Sequence, residues 1–379
     1  MGAMARIAGA TTNVVRDASK TGGGMASVAL PLHDALLDRH LDAHIICGLL
    51  PEREVRKLHV AGPTGDGFRK LSKESMSGLV HIHGLWTPFT WRAHRRARRS
   101  GARLIVSPHG SLEPWAFKNK RTKKLAAWWL YQRNILERAE LVVVNSDRER
   151  DQLRRLGLTS PVAVIAHGVD VRARPEDMLG SPRRDRERVV LFFARLSPKK
   201  GIPDLLQAWH SLKDRRGYEL HIHGYGEATY LNFVKGLIDE LGLGRHVKLL
   251  GGLFGAEKWR KFQASSIYVL PSYSENFGIT VAEALMSGLP VITTRATPWT
   301  QLATKRLGWI VDNDVDQLSL ALTEALALNP DQLGTIGERA KCYARQNFSW
   351  PQIADQYVTT YEWVRNPALP KPDWISLGR

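Results

Sequence analysis

Between Ile267 and Thr293 the order of residue types admits few folds. An apolar run, Ile267–Leu270, precedes the stretch Ser272–Gly288 (SYSENFGITVAEALMSG), and a second apolar run, Leu289–Thr293, follows it. Short apolar runs bounded by turn residues read as buried strands, and the segment between them reads as a turn followed by a helix. Strand, helix and strand in this order form the repeating unit of a parallel sheet. Two glutamates stand inside the unit, Glu275 and Glu283, with seven residues between them. Glu275 falls in the turn above the strand's carboxyl end, where open parallel sheets bind ligands. Glu283 falls inside the helix. Between them, Asn276, Phe277 and Gly278 supply backbone N–H groups at a helix start, where anions are favoured. Carboxylates suit vicinal hydroxyls and free amides suit phosphate or sugar oxygens, so the stretch points to a nucleotide-sugar site. An isolated pair of glutamates fits a surface turn and a solvated helix face equally well; the residues around this pair set it apart.

The same alternation recurs along the chain. Strands are expected at Arg6–Val15, Ala43–Cys47, Leu79–His83, Arg103–Ser107, Leu141–Asn145 and Val162–Ile165. After the polar, proline-containing segment Val171–Arg188 the pattern restarts with strands at Val189–Phe193, Tyr218–His223 and Val247–Leu250, and helices between them. Pro31 is expected to kink or interrupt a helix over Met25–Arg39, and Pro51–Ser77 reads as irregular. A single helix is expected over Lys118–Arg138, and terminal helices over Asp331–Asn347 and Trp350–Val364. Ser146 with Glu149 reads as a capping box. The fold class is α/β, with two doubly wound sheets facing each other across a cleft. The expected divisions are a first domain over 1–170, a linker over 171–188, a second domain over 189–350 and a returning helix over 351–379.

Composition bounds the function. Two cysteines far apart in sequence, Cys47 and Cys342, suggest neither a disulfide framework nor a zinc site. No run of about 18 apolar residues spans a membrane and no signal-peptide pattern is visible, so a cytoplasmic location is expected. The net charge is +17. Arg92–Lys124 holds eleven Lys and Arg against one acid, Glu113. Trp115, Phe117, Trp128 and Trp129 interleave with these charges, a combination that suits an anionic membrane surface as a peripheral partner; a solvated basic face with inward tryptophans is the alternative. Charge alone also raises nucleic acid as a partner, but no nucleic-acid-binding motif accompanies the arginines.

Further residues point to the same chemistry. Arg195 and Lys200 follow the Val189–Phe193 strand in the run Ala-Arg-Leu-Ser-Pro-Lys-Lys-Gly, with Lys199 as the alternative cation. Two cations at a strand end suit a diphosphate, Arg by its fork and Lys as a point charge. Gly22, Gly23 and Gly24 lie in an expected strand-to-helix turn, where glycine lets a ligand approach the backbone. His81 and His83 share a strand face without an evident third metal ligand. Asp312-Asn-Asp314 is a formal metal-binding pair, but its place late in the second sheet reads as a turn with a helix cap.

Glu-x7-Glu with Phe-Gly inside, then Glu-Ala-Leu and Gly-Leu-Pro-Val, resembles the retaining GT-B glycosyltransferases of family 4 ("group 1") of bacterial polysaccharide and lipopolysaccharide synthesis. Arg-x4-Lys-Gly at Arg195–Gly201 belongs to the same resemblance. It implies two Rossmann-like domains, the first for acceptor and the second for a UDP- or GDP-sugar donor, with the last helix crossing back from Phe348-Ser-Trp350. It implies that His109 contacts the donor sugar, that Arg195 and Lys200 grip the diphosphate, and that Gly22–Gly24 face donor and acceptor. It further implies Gly224 near the nucleotide, Gly251–Phe254 near the base, Glu283 on the ribose and Glu275 on the sugar. His167 stands where the family usually has Asn. No metal or other cofactor is required by this reading, because Arg195, Lys200 and the helix start would stabilise the leaving group. The implied acceptor is a saccharide or lipid-linked hydroxyl at the inner face of the cytoplasmic membrane. A nucleotide-sugar epimerase or a phosphorylase of the same fold is the alternative.

Overall fold

The computed structural model describes residues 9–19, 25–71, 74–118, 121–169 and 186–378. The chain divides into two compact units, Met1–Gly168 with Trp350–Arg379, and Val169–Ser349.

The first unit is built on β1 (Thr11–Asp17), β2 (Ala43–Leu49), β3 (Leu58–Val60), β4 (Leu79–His83), β5 (Arg103–Ser107), β6 (Leu141–Val144) and β7 (Val162–Val164). They lie side by side in the order 7-6-5-4-1-2-3, all parallel. Every residue of β4 is buried, as expected of a strand covered on both faces. One face packs on Phe68, Phe89, Trp128 and Leu136. The other packs on Val28, Leu32 and Leu36 of the helix Ala26–Leu37 and on Ile353, Tyr357 and Tyr361 of the helix Trp350–Arg365. Each such side chain taken from water contributes about 1.5–3 kcal/mol.

The second unit carries β8 (Val189–Phe193), β9 (Glu219–His223), β10 (Val247–Leu250), β11 (Ile267–Leu270), β12 (Val291–Thr294) and β13 (Gly308–Val311). Their order is 10-9-8-11-12-13, again all parallel. The strand order reverses between β8 and β11, where Val190 pairs with Ile267 and Leu191 with Tyr268. Such a switch point opens a crevice beyond the strands' carboxyl ends. A short strand, β14 (Ile375–Ser376), adds antiparallel to β7 in the first unit.

Three local expectations are corrected, and a fourth is refined. The first strand covers Thr11–Asp17 rather than Arg6–Val15, whose residues 6–8 lie outside the described residues. Its polar Thr11, Thr12 and Asn13 are buried because they join a hydrogen-bonded layer, with Thr12 Oγ1 donating to Ser75 O at 2.9 Å. Pro31 lies inside the uninterrupted helix Ala26–Leu37, where burial of Pro31 itself and most of its neighbours offsets the lost backbone bond. Pro51–Ser77 contains β3 and two single turns of 3-10 helix, because Phe68 anchors it on Phe89 at 5.0 Å between ring centroids. The helix expected at Lys118–Arg138 is continuous from Arg121 to Glu137 and carries a π-turn over Trp128–Gln132 between Arg121–Ala127 and Arg133–Glu137, while Pro114–Lys118 is helical before it and 119–120 lie outside the described residues. Trp128 is buried there and Trp129 is 70% exposed, so the two adjacent tryptophans divide between core and surface.

Candidate functional site

The stretch after β11 is held by short tertiary bonds. Thr294 Oγ1 donates to Ser272 O at 2.5 Å, and Trp299 Nε1 donates to Phe277 O at 2.5 Å. Phe277 packs against Trp299 and Phe348, with centroids 5.2 and 5.8 Å apart. Gly278 caps the helix Ile279–Met286 with φ +75° and leaves a hypothetical Cβ 3.2 Å from Trp299 Nε1, so glycine suits both the backbone and the space. Asn276 and Gly278 are half-buried beside the buried Phe277, at the start of this helix.

Glu275 and Glu283 are both 6% exposed, which removes them from the surface-turn and solvated-face alternatives. Glu275 Oε1 accepts from Ser272 Oγ at 2.7 Å and from Lys200 Nζ. Burial pushes the Glu275 carboxyl up, but Lys200 and Lys199 outweigh it and hold the group below the ordinary carboxylate range. Glu283 Oε1 accepts from Lys258 Nζ at 2.7 Å. Tyr268 on β11 donates its hydroxyl proton to Phe193 O at 3.0 Å and accepts from Thr280 Oγ1 at 2.7 Å. Its hydroxyl is held well above the ordinary range, first by burial and then by the charges of Glu275 and Glu283.

The Lys200 turn reaches Glu275 because Gly201 allows it. Gly201 has φ +67°, and a Cβ there would stand 2.1 Å from Pro271 O. Only glycine lets the turn after β8 press on the start of the Ser272–Gly288 stretch. Tyr273 N donates to Lys199 O at 2.9 Å across the same contact. Arg195 lies two residues beyond β8, exposed, and its side chain makes no hydrogen bond or ion pair among the described residues. Gly224 follows β9, where Ala194 N donates to His223 O at 3.2 Å. Arg195, Lys200, Gly224 and Glu275 thus follow the carboxyl ends of β8, β9 and β11, at the switch point.

His109 belongs to the first unit and sits after β5 with φ +50°, a left-handed conformation unusual for a residue with a side chain. Its Nδ1 lies 3.2 Å from Asn145 Oδ1 and its Nε2 lies 2.9 Å from His83 Nδ1. Asn145 Nδ2 donates to Ile165 O, so the oxygen faces His109 and Nδ1 carries the proton. His81 bonds Tyr361 OH and Ser107 Oγ, both at 2.8 Å, and the His167 ring lies tilted with its centroid 5.4 Å from that of His109. Burial pushes His109 down to about 4, and holds His81, His83 and His167 well below the ordinary histidine value. Glu149 pins this turn: its carboxylate accepts from Gly110 N at 2.6 Å and Asn145 N at 3.0 Å, while Ser146 Oγ accepts from Glu149 N at 3.2 Å. The cap is present, but the carboxylate reaches across to a neighbouring strand end.

Gly22, Gly23 and Gly24 lie outside the described residues. Asp314 is the N-cap of the helix Val315–Ala327, with Oδ1 accepting from Gln317 N at 2.9 Å. Lys258, Ser272, Trp299 and the clamp role of Glu149 were not legible beforehand. Lys258 and Trp299 stand on other elements than the groups they bond, so no local spacing announces them.

Residues 22–173 match the profile described as Glycosyltransferase Family 4, and residues 174–343 match Glycosyl transferases group 1. D-inositol 3-phosphate glycosyltransferase of Mycobacterium marinum is 29% identical over 243 residues, 61% of this chain and 51% of that protein. The chain therefore spans about half the length of this relative. GDP-mannose:cellobiosyl-diphosphopolyprenol alpha-mannosyltransferase of Xanthomonas campestris is 28% identical over 294 residues, 75% of this chain and 73% of that protein. Among solved structures, sucrose-phosphate synthase of Thermosynechococcus elongatus superposes with a TM-score of 0.75 at 19% identity, covering 94% of this chain and 100% of that one. With two parallel-sheet α/β units and these structural neighbours, the fold is GT-B. The two matched profiles between them run from residue 22 to residue 343, and the chain belongs to the family 4, group 1 glycosyltransferases.

Proposed function

We propose that the chain transfers a sugar, with retention at the anomeric carbon, from a nucleoside-diphosphate sugar to a hydroxyl of a saccharide or lipid-linked acceptor. The observation that carries the reading is the pair of buried carboxylates in the stretch after β11, Glu275 held by Lys200 and Glu283 by Lys258, at the switch point of one sheet. In this reading the exposed Arg195 and the Lys200 ammonium meet the diphosphate as charge develops on the leaving group. Lys200 exchanges Glu275 for phosphate, and Glu275 turns to a sugar hydroxyl. Glu283 accepts from the ribose. The exposed Tyr225 and Phe254, stacked with centroids 6.2 Å apart beyond β9 and β10, offer faces to the base. His109 serves the donor sugar, and Gly22–Gly24 the diphosphate and acceptor, as in the family. No metal is needed for a leaving group met by these donors.

The test is calorimetric titration with UDP- and GDP-sugars. Glu283→Ala is expected to weaken nucleotide binding roughly tenfold or more, since a hydrogen bond to a charged group contributes about 1.5–3 kcal/mol. Unaltered affinity removes Glu283 from the site.

The acceptor reading includes a peripheral place on the inner face of the cytoplasmic membrane. Its support is an apolar cluster on the basic helical segment: Trp115, Leu125, Trp129 and Leu130 are 44, 40, 70 and 81% exposed. Arg121 and Lys123 are exposed beside them. Apolar side chains flanked by cations match an anionic interface. The lipid-linked diphosphate acceptor named for the Xanthomonas relative is of the same kind. Each basic residue near such a surface contributes about 1 kcal/mol. Replacing Arg121 and Lys123 by Ala is therefore expected to lower partition onto anionic vesicles about thirtyfold in a flotation assay. No flotation with either anionic or uncharged vesicles argues for a soluble acceptor.

A further inference from the structure

Glu283 needs a counter-charge in the folded unit. A carboxylate that deeply buried is costly unless a cation or several donors face it. Its helix neighbours Val281, Ala282, Ala284 and Leu285 are buried and apolar and supply none. The partner comes from another element, the helix Gly255–Ala264. There Lys258 Nζ donates to Glu283 Oε1 at 2.7 Å and lies 5.0 Å from the centroid of the Trp259 ring. Trp259 and Phe262 of that helix are 1 and 0% exposed, so the backbone bearing Lys258 is anchored in the core. The Lys258 side chain itself is 21% exposed, unlike a solvated surface lysine. The other carboxylate oxygen of Glu283 accepts no hydrogen bond among the described residues.

We propose that Lys258 is a positioning residue that determines specificity for ribose. It occupies one oxygen of Glu283, orients the carboxylate, and leaves the second oxygen to accept from the ribose hydroxyls. This rests on the reading of Glu283 as the ribose acceptor. A strong ammonium partner stops the carboxylate from turning away, and a fixed acceptor separates a ribonucleotide from one lacking the hydroxyls. Arg at this position carries the same charge on a stem of similar length, whereas Met fills similar space without charge.

The test is calorimetry on the full chain with UDP, GDP and their 2′,3′-dideoxy counterparts, for the natural protein, Lys258→Met and Lys258→Arg. The natural protein is expected to prefer the ribonucleotide by about tenfold or more, the range set by hydrogen bonds to a charged acceptor. Lys258→Met is expected to narrow that preference to about threefold or less, with the loss on the ribonucleotide side. Lys258→Arg restores the preference. The dideoxy nucleotide makes no use of Glu283, so its unchanged affinity shows that the Met variant's site is folded. An unchanged preference in Lys258→Met, tighter ribonucleotide binding there, or failure of Lys258→Arg to restore it overturns the inference. Natural protein that binds neither nucleotide overturns the donor reading itself, and equal binding of both forms overturns the role of Glu283; either result takes this inference with it.

Discussion

Acidifying the protein from pH 7.5 to 5.5 is expected to remove about 5 kcal/mol of stability from the first unit. His81, His83, His109 and His167 are buried together, and burial holds all four below the ordinary histidine value. The unfolded chain takes up protons on these side chains near pH 6.5, and the folded unit does not. With more protons on the unfolded state, stability rises with pH across this window and is lost as pH falls below about 6.5. Each neutral buried histidine contributes about 1.4 kcal/mol over the two pH units. Ordinary carboxylates titrate mostly below this range and add little. The measurement is the denaturant midpoint against pH, followed by a probe in the first unit. His167→Asn, which places the family's usual residue there, is expected to reduce the slope by about one proton. A midpoint that stays flat between pH 5.5 and 7.5 rules out a neutral cluster.

Lys200→Ala is expected to lose both turnover and stability. The substitution leaves Glu275, 6% exposed, without its ammonium partner. Removing one member of a buried pair costs about 3–5 kcal/mol, and Ser272 and Lys199 keep the loss near the lower figure. For a unit of this size that corresponds to about 6–12 °C in melting temperature. The pH dependence has a defined sign. Glu275 is held below the ordinary carboxylate range, so its contribution is present above that range and is lost as pH falls through the lowered value. In Lys200→Ala that contribution is reduced and acid lability sets in at higher pH. Adding Glu275→Gln is expected to recover much of the stability and none of the activity, because the buried charge goes but the proposed diphosphate contact does not return. A single variant with unchanged melting and turnover removes Lys200 from the site and the ion pair from the fold's support.

The alternation of apolar runs and helical segments was readable because strands buried on both faces need continuous Val, Ile and Leu. Leu79–His83, Arg103–Ser107, Val189–Phe193 and Ile267–Leu270 have the expected bounds for this reason. Segments whose structure depends on distant partners were not readable. Thr11–Asp17 is a strand despite its polar residues because a buried histidine and hydroxyl layer receives them. Pro31 stays inside its helix because the sheet beneath buries it. Trp128 and Trp129 are neighbours in sequence, and a π-turn sends them to opposite environments.

The residue order alone determined the parallel α/β class, the Glu-x7-Glu stretch and the Arg-x4-Lys-Gly turn, because backbone period and glycine conformation act over a few residues. Only the tertiary structure decided which charges face each other. Lys200 reaches Glu275 through the close approach of Gly201 to Pro271, and Lys258 reaches Glu283 from a separate helix, because burial makes each carboxylate take a cation from whatever element packs against it.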